Sequence, residues 1–168
     1  MNDFIMTRRS IRKYTDAPVT DEQIKTLLRA AMSAPSAMNM RPWRFVVVRD
    51  GAMRQWIADN HPYAKMLPHA QAAIVVCGVR RQPGALKDYW VQDCSAAMEN
   101  LLLQAHAMGL GAVWLGVYPR QERADMVAKA LELPEDVVPL GIASLGWPAE
   151  ERDLPERYDE SCVHWEKW

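Results

Sequence analysis

The sequence predicts a layered fold, α+β or α/β, built on about four strands. Three observations lead there. Helical and strand-like segments alternate along 168 residues, a length that fits about one domain, spanning residues 1–168. Short apolar runs read as buried strands, and amphipathic stripes between them read as helices. Apolar residues make up 49% and charged residues 24%, which sets the chain apart from disordered, collagenous or low-complexity sequences.

The elements follow in order. A short helix is predicted from Asn2 to Thr7, with Asn2 as its N-cap. Thr20 and Gln23 form a capping box, and Ile24, Leu27, Leu28, Ala31 and Met32 then recur at helical spacing. That helix stops near Ala34-Pro35, because proline disfavours α geometry in the residue before it. Phe45-Val46-Val47-Val48, within Arg44 to Arg49, is a buried strand. Asp50 caps a helix running to about Asn60, and Ala72 to Val79 is a second buried strand. Asp88 to Met108 is the longest helix. Val91, Cys94, Met98, Leu101, Leu102, Ala105 and Met108 line one face of it, and Gly109 supplies its stop. Gly111 to Val117 is a third strand, Arg120 to Leu131 an amphipathic helix, and Val137 to Leu145 a fourth strand. From Ala149 onward no period remains, yet Tyr158, His164, Trp165 and Trp168 are kept. Disordered tails carry few aromatics, so this one is expected to dock on its own domain or on a partner chain.

Charge and motif content exclude several functions. Lys plus Arg is 20 and Asp plus Glu is 21, a balance that draws in neither nucleic acid nor membrane. No apolar run is long enough to span a bilayer, and no secretory leader is recognised at Met1-Asn2-Asp3-Phe4. Cys77, Cys94 and Cys162 are widely spaced and form no CxxC, which points to a reducing cytoplasm. Gly141, Ser144 and Gly146 are one residue too far apart for a nucleophile elbow. The four histidines lack zinc spacing. Cys77 and Cys94 read as inert packing, and His106, Asp93 and Glu99 read as structural rather than as ligands or an acid–base pair.

Three segments carry candidate chemistry. Arg8-Arg9-Ser10-Ile11-Arg12-Lys13 offers guanidinium forks and a hydroxyl at short spacing, which suit a phosphate monoester; the plainer alternative is a solvated basic face. Ala34 to Trp43 is a loop held by two prolines, with Ser36 and Asn39 as polar groups and Met38, Met40 and Trp43 as apolar ones, the mixture of a ligand pocket. Gly109 to Gly116 narrowly misses both the dinucleotide and the P-loop spacings and reads helix-then-strand, opposite to both. Gly116 at a strand end would still let the backbone approach a flat ligand. Seven Trp and ten Met supply surface for such a ligand or for a large interface.

Arg8-Arg9-Ser10-Ile11-Arg12, the run from Ser33 to Phe45, the run from Gly109 to Pro119, and the ending around Gly146-Trp147-Pro148 and Arg157-Tyr158 together resemble the FMN-dependent nitroreductase family in a short form, over nearly the whole chain. The resemblance implies an α+β fold with a central antiparallel sheet flanked by helices. It implies a homodimer with FMN at the subunit interface and the C-terminal tail exchanged between subunits. Arg8, Ser10 and Arg12 would then hold the FMN phosphate, Arg9 would lie over the ring or ribityl chain, and Arg157 would add a phosphate contact from the tail. Pro35, Ser36, Ala37 and Asn39 would meet the flavin from the partner chain. Trp114, Leu115 and Gly116 would face the ring edge, with a main-chain N–H of Leu115 or Gly116 donating to N5, and Lys65 would bond the pyrimidine side. Pro62 stands where many members carry an Asn that also bonds the ring, and proline brings no donor.

The activity implied is hydride transfer from NADH or NADPH through flavin N5 to a small flat acceptor such as a nitroaromatic or quinone, in alternation, with no dedicated catalytic side chain. The alternative is a non-catalytic flavin-binding or interaction protein of the same fold, its ring face covered. A nucleic-acid binder using Arg8 to Lys13 would need basic residues well beyond one hexapeptide.

Overall fold

The fold was obtained as a computed structural model, which describes residues 4–80 and 88–168. In chain order it contains α1 (Phe4–Thr7), α2 (Asp21–Met32), β1 (Trp43–Val48), α3 (Gly51–Asn60), β2 (Ala72–Val79), α4 (Trp90–Ala107), β3 (Gly111–Gly116), α5 (Gln121–Ala130) and β4 (Val137–Gly146). The strands form one sheet in the order β1-β2-β4-β3, with every neighbouring pair antiparallel. The architecture is therefore α+β, with a central antiparallel sheet flanked by helices. The Asn2 cap expected from the sequence lies outside the described residues.

Local chemistry explains the boundaries. Thr20 accepts from the N–H of Gln23 while the Gln23 side chain reaches back to the N–H of Thr20, so the capping box is complete. Asp50 caps α3 through the N–H of Met53. The inner strands β2 and β4 are apolar almost throughout and buried at nearly every position. The long helix α4 packs against α2 and touches all four strands. Leu27, Ile57, Leu67, Ile74, Met98, Leu101, Ile142 and Leu145 close the core.

Pro139 sits in an inner strand, where its missing N–H would break the ladder. The register resolves this: Val76 pairs with Gly141 and Cys77 with Pro139, so Leu140 bulges out between them. The Leu140 carbonyl turns to the N–H groups of Val117 and Tyr118. On the far side of β3, the segment after α1 runs along the otherwise open sheet edge. Ile11 donates to the Ala112 carbonyl at 2.9 Å, and Tyr14 bridges Pro148.

Beyond β4 the chain continues as an extended tail with a single turn at Glu160–Cys162. Every residue from Glu151 onward is exposed, and Trp168 is fully so. The aromatics that the sequence expects to be docked thus cover no core of their own chain.

Candidate functional site

The outer edge of β3 is the starting point. Val117 donates to Leu140, so Val117, Leu115 and Val113 turn their polar groups toward β4. Ala112, Trp114 and Gly116 turn theirs outward, and the bond from Ile11 to Ala112 lies on that outer side. The N–H of Leu115 is therefore committed to the ladder. Of the two main-chain donors expected from the sequence, Gly116 is the one directed away from the sheet.

This edge borders a groove of about 430 Å³ lined by Arg12, Pro62, Tyr63, Lys65, Met66, Val113, Trp114, Leu115 and Gly116. A Cβ placed on Gly116 would meet nothing within 4 Å, so the position opens onto free space. Among the described residues neither Arg12 nor Lys65 forms an ion pair, and no acid lines the groove. It offers two outward N–H groups, two cations and a flat apolar wall.

Against the outward Gly116 carbonyl lies His61, a residue that carries no motif in the sequence. It is only 1% exposed. The N–H of Tyr63 donates to its Nδ1 at 3.2 Å, which leaves the proton on Nε2, 3.0 Å from the Gly116 carbonyl. Burial, reinforced by the Arg123 cation, holds the His61 pKa below its ordinary value against the pull of that carbonyl. Arg123 also donates to the Gly116 carbonyl at 3.3 Å, and its guanidinium lies 5.2 Å from the centre of the Tyr63 ring.

The basic hexapeptide does not act as one cluster in a single chain. Arg8 pairs with Glu99 on α4 at 3.3 Å. Arg9 is spent on the carbonyls of Asp153, Met6 and Arg8, and lines a different groove with His106 and Arg152. Ser10 bridges Ala112, and Arg12 alone of the three arginines reaches the Lys65 groove. The main chain here is clamped by Glu150, which the sequence reading passes over. Its carboxylate accepts from the N–H groups of Arg12 at 2.6 Å and Lys13 at 3.2 Å, and pairs with Arg152 at 2.8 Å.

Pro35, Ser36 and Ala37 line a third groove with Tyr89, Gln92, Asp93 and Ala96. Met38, Asn39 and Arg41 have left-handed φ angles of 49°, 57° and 48°, so this loop is strained. Asp93 accepts from the N–H of Ala37 at 2.9 Å, Ser36 Oγ accepts from the N–H of Arg41 at 3.0 Å, and Arg41 Nε donates to Asn39 Oδ1 at 2.8 Å. Asp93 is thus a buried structural acid, and its second oxygen has no partner. Arg157 lies in the exposed tail and lines none of these grooves. One chain brings together Arg12, Lys65, Trp114, Leu115 and Gly116, and leaves Arg8, Arg9, Ser10, the Pro35–Asn39 loop and Arg157 outside that groove.

The model of the nitroreductase family matches residues 5–61 and 54–147. The chain belongs to the nitroreductase family. A protein of Archaeoglobus fulgidus, provisionally named an NADH dehydrogenase/NAD(P)H nitroreductase, is 48% identical over 98% of this chain and 96% of its own. An FMN-dependent nitroreductase of Clostridium difficile superposes with a TM-score of 0.91 at 30% identity, covering 100% of both chains. A Desulfovibrio desulfuricans structure in complex with FMN, provisionally named a nitroreductase, superposes with a TM-score of 0.86 at 34% identity, covering 98% of this chain and 95% of that one.

In this nitroreductase-family chain Cys77, Cys94 and His106 make structural contacts. Burial raises the thiols of Cys77 and Cys94 to about 12, which makes them inert packing. His106 Nε2 sits 2.8 Å from Thr7 Oγ1. Among the described residues no group of His, Cys, Asp or Glu is placed to hold a metal, and no helix is long and apolar enough to cross a membrane.

Proposed function

We propose that this chain is an FMN-dependent NAD(P)H oxidoreductase, folded as one domain over residues 1–168 and working as a cytoplasmic homodimer. The observation that carries the reading is the groove on the outer edge of β3. A flavin ring is flat and lined with acceptor atoms along its edge. The groove answers with outward N–H groups at Trp114 and Gly116, an open position at Gly116, and the unpaired cations of Arg12 and Lys65. FMN when bound supplies the chemistry, taking hydride at N5 from NADH or NADPH and passing it to a small flat acceptor, such as a nitroaromatic or quinone, in alternating turns.

The protein's residues bind and orient. Gly116 N–H is assigned to the ring edge, with Trp114 and Leu115 as its neighbours, and Lys65 to the pyrimidine side, where a cation favours negative charge. Pro62 lines the groove and has no N–H to add. Arg8, Ser10 and Arg12 are assigned to the phosphate, with Arg9 beside them. Pro35, Ser36, Ala37 and Asn39 line or border a separate groove, so we assign them to the flavin of the partner subunit. The exposed tail, with Tyr158, Trp165 and Trp168, is the segment that would wrap that partner and bring Arg157 to its phosphate. The three unpaired cysteines fit a reducing cytoplasm.

The test is direct. Purified protein is expected to be yellow, to hold one FMN per chain, and to bleach within seconds of anaerobic mixing with NADH or NADPH. Protein that takes up no FMN refutes the reading. Bound flavin that is not bleached by either nucleotide makes the chain a non-catalytic flavin binder instead.

A further inference from the structure

Arg12 lines the groove with a long side chain that has little else to hold it. It forms no ion pair among the described residues, and its guanidinium makes one long bond, 3.4 Å, to the Ser10 carbonyl. A cation contributes fully to an anion site only when its position is set before the ligand arrives. The root of this side chain is set by Glu150. The N–H of Arg12 belongs to the Ile11–Arg12 peptide and the N–H of Lys13 to the Arg12–Lys13 peptide, and both donate to one oxygen, Glu150 Oε1, at 2.6 and 3.2 Å. Peptide units are planar, so with both held the Arg12 Cα has one direction left for its Cβ. The first peptide has a second hold, because the Tyr14 hydroxyl donates to the Ile11 carbonyl at 2.8 Å. The second rests on Glu150. Glu150 is itself planted. Thr15 and Ala149 donate to the carbonyls of Trp147 and Lys13 at 2.9 Å each, and Tyr14 bridges Pro148, so the chain leaving β4 runs antiparallel beside residues 13–15. Arg152 holds the other carboxylate oxygen at 2.8 Å.

We propose that Glu150 is a positioning residue for the cofactor phosphate: by holding both peptides that flank Arg12, it plants that side chain at the wall of the groove. The inference rests on the cofactor reading above. Glu150 lines a different groove, so it acts through Arg12 and not on the ligand. Its charge argues in the opposite direction. An acid beside a site for a dianion is repulsive, so removing it would tighten binding if charge were all it contributed. The pairing with Arg152 offsets that charge, and the two N–H groups need only an acceptor. The sign of the effect therefore separates positioning from charge.

Wild type, Glu150→Ala, Glu150→Gln, Arg12→Ala and the double variant Arg12→Ala with Glu150→Ala decide it. Each is stripped of flavin, checked for folding by its urea midpoint and titrated with FMN. Glu150→Ala is expected to bind FMN about fivefold more weakly, the order of what it costs to order one arginine at the moment of binding. Glu150→Gln keeps an acceptor without the charge, and is expected to bind at least as tightly as wild type. In the Arg12→Ala background, Glu150→Ala is expected to add no further loss, because the side chain it serves is gone. Unchanged or tighter binding in Glu150→Ala overturns the inference. So does a loss of equal size without Arg12, which would mark a general effect on the fold, and so do equal losses in Glu150→Ala and Glu150→Gln. Each of these leaves the cofactor reading standing. Wild type that takes up no FMN overturns that reading, and this inference with it. Glu150→Asp, whose acceptor stops one methylene short, replaces Glu150→Ala should the latter not fold. Amide exchange in flavin-free wild type needs no variant: the N–H groups of Arg12 and Lys13 must exchange slowly, and exchange as fast as in the exposed tail refutes the geometry.

Discussion

Asp93 on α4 accepts a hydrogen bond from the main-chain N–H of Ala37 at 2.9 Å, so one buried carboxylate sets the position of a loop 56 residues earlier in the chain. The loop needs an anchor. Left-handed backbone at a non-glycine residue costs about 1–2 kcal/mol, and Met38, Asn39 and Arg41 all adopt it. Asp93→Ala is expected to raise amide hydrogen exchange in residues 36–41 about fivefold, as the loss of one bond worth roughly 1 kcal/mol implies. Exchange in β2 should not change, and Asp93→Asn, which keeps an acceptor, should behave as wild type. Undisturbed exchange in the loop of Asp93→Ala would show that the strain is held elsewhere.

The two arginines assigned to the phosphate are expected to contribute unequally. Arg12 faces the groove without an ion pair, whereas Arg8 must leave Glu99 to reach a phosphate. A charge-assisted bond is worth roughly 1.5–3 kcal/mol, so Arg12→Ala should weaken FMN binding by about tenfold or more. Arg8→Ala should cost less, and the double variant about 10²-fold, yielding folded protein with little colour. The ratio of visible flavin absorbance to protein absorbance in each purified variant measures this. A double variant as yellow as wild type would remove the phosphate assignment.

How much of this was legible in the sequence depends on whether a residue acts locally. The capping box at Thr20 and Gln23, the apolar runs of β1 and β2, and the stripe on α2 are neighbours along the chain, and all lie where periodicity puts them. The groove residues Arg12 and Gly116 were legible as members of separate segments, because each segment has its own motif, whereas Lys65 stands in no motif and was named only through the family resemblance. Their clamps were not. His61, Glu150 and Arg123 act across gaps of 55, 138 and 7 residues on main-chain atoms, which leave no trace in composition or spacing. Asp93 was legible as a charge on an apolar helix, but its partner is the N–H of Ala37, which any residue type could supply. The tail was legible as aromatic but not as detached, because covering by a second chain looks the same in sequence as covering by the first.

Two glycines on facing strands separate groove from core. Gly116→Val puts a side chain into open space, so folding stability should change by no more than about 0.5 kcal/mol while FMN uptake falls at least about tenfold. Gly141→Ala forces a methyl group against the indole of Trp114 and the Leu115 carbonyl, an overpacking that costs about 1–3 kcal/mol. Urea midpoints and FMN titrations on both variants test the split. If Gly116→Val binds FMN as tightly as wild type, the ring does not lie where the groove places it.

Tyr14 gives the fold an alkaline limit. Its hydroxyl donates to the Ile11 carbonyl at 2.8 Å and lies 2.9 Å from Ser144 Oγ. Burial raises its pKa to about 12 from the ordinary 10, although the Ser144 hydroxyl and the Arg12 charge pull the other way. The fold therefore favours the protonated phenol. Its contribution is complete below pH 10 and is lost as pH rises toward 12, because the unfolded chain releases that proton first. Two units correspond to at most about 2.7 kcal/mol. Tyr14→Phe has no proton to release. It should be less stable than wild type by roughly 1–2 kcal/mol at neutral pH, where both bonds are lost. Cys77 and Cys94 ionise at high pH in both proteins, so the difference between them isolates Tyr14. Urea midpoints between about pH 8 and 11.5 should show the two curves converging as pH rises. Parallel curves would mean that the phenol is not desolvated, and that the contact of the basic segment with the sheet edge is looser than the hydrogen bonds of Tyr14 require.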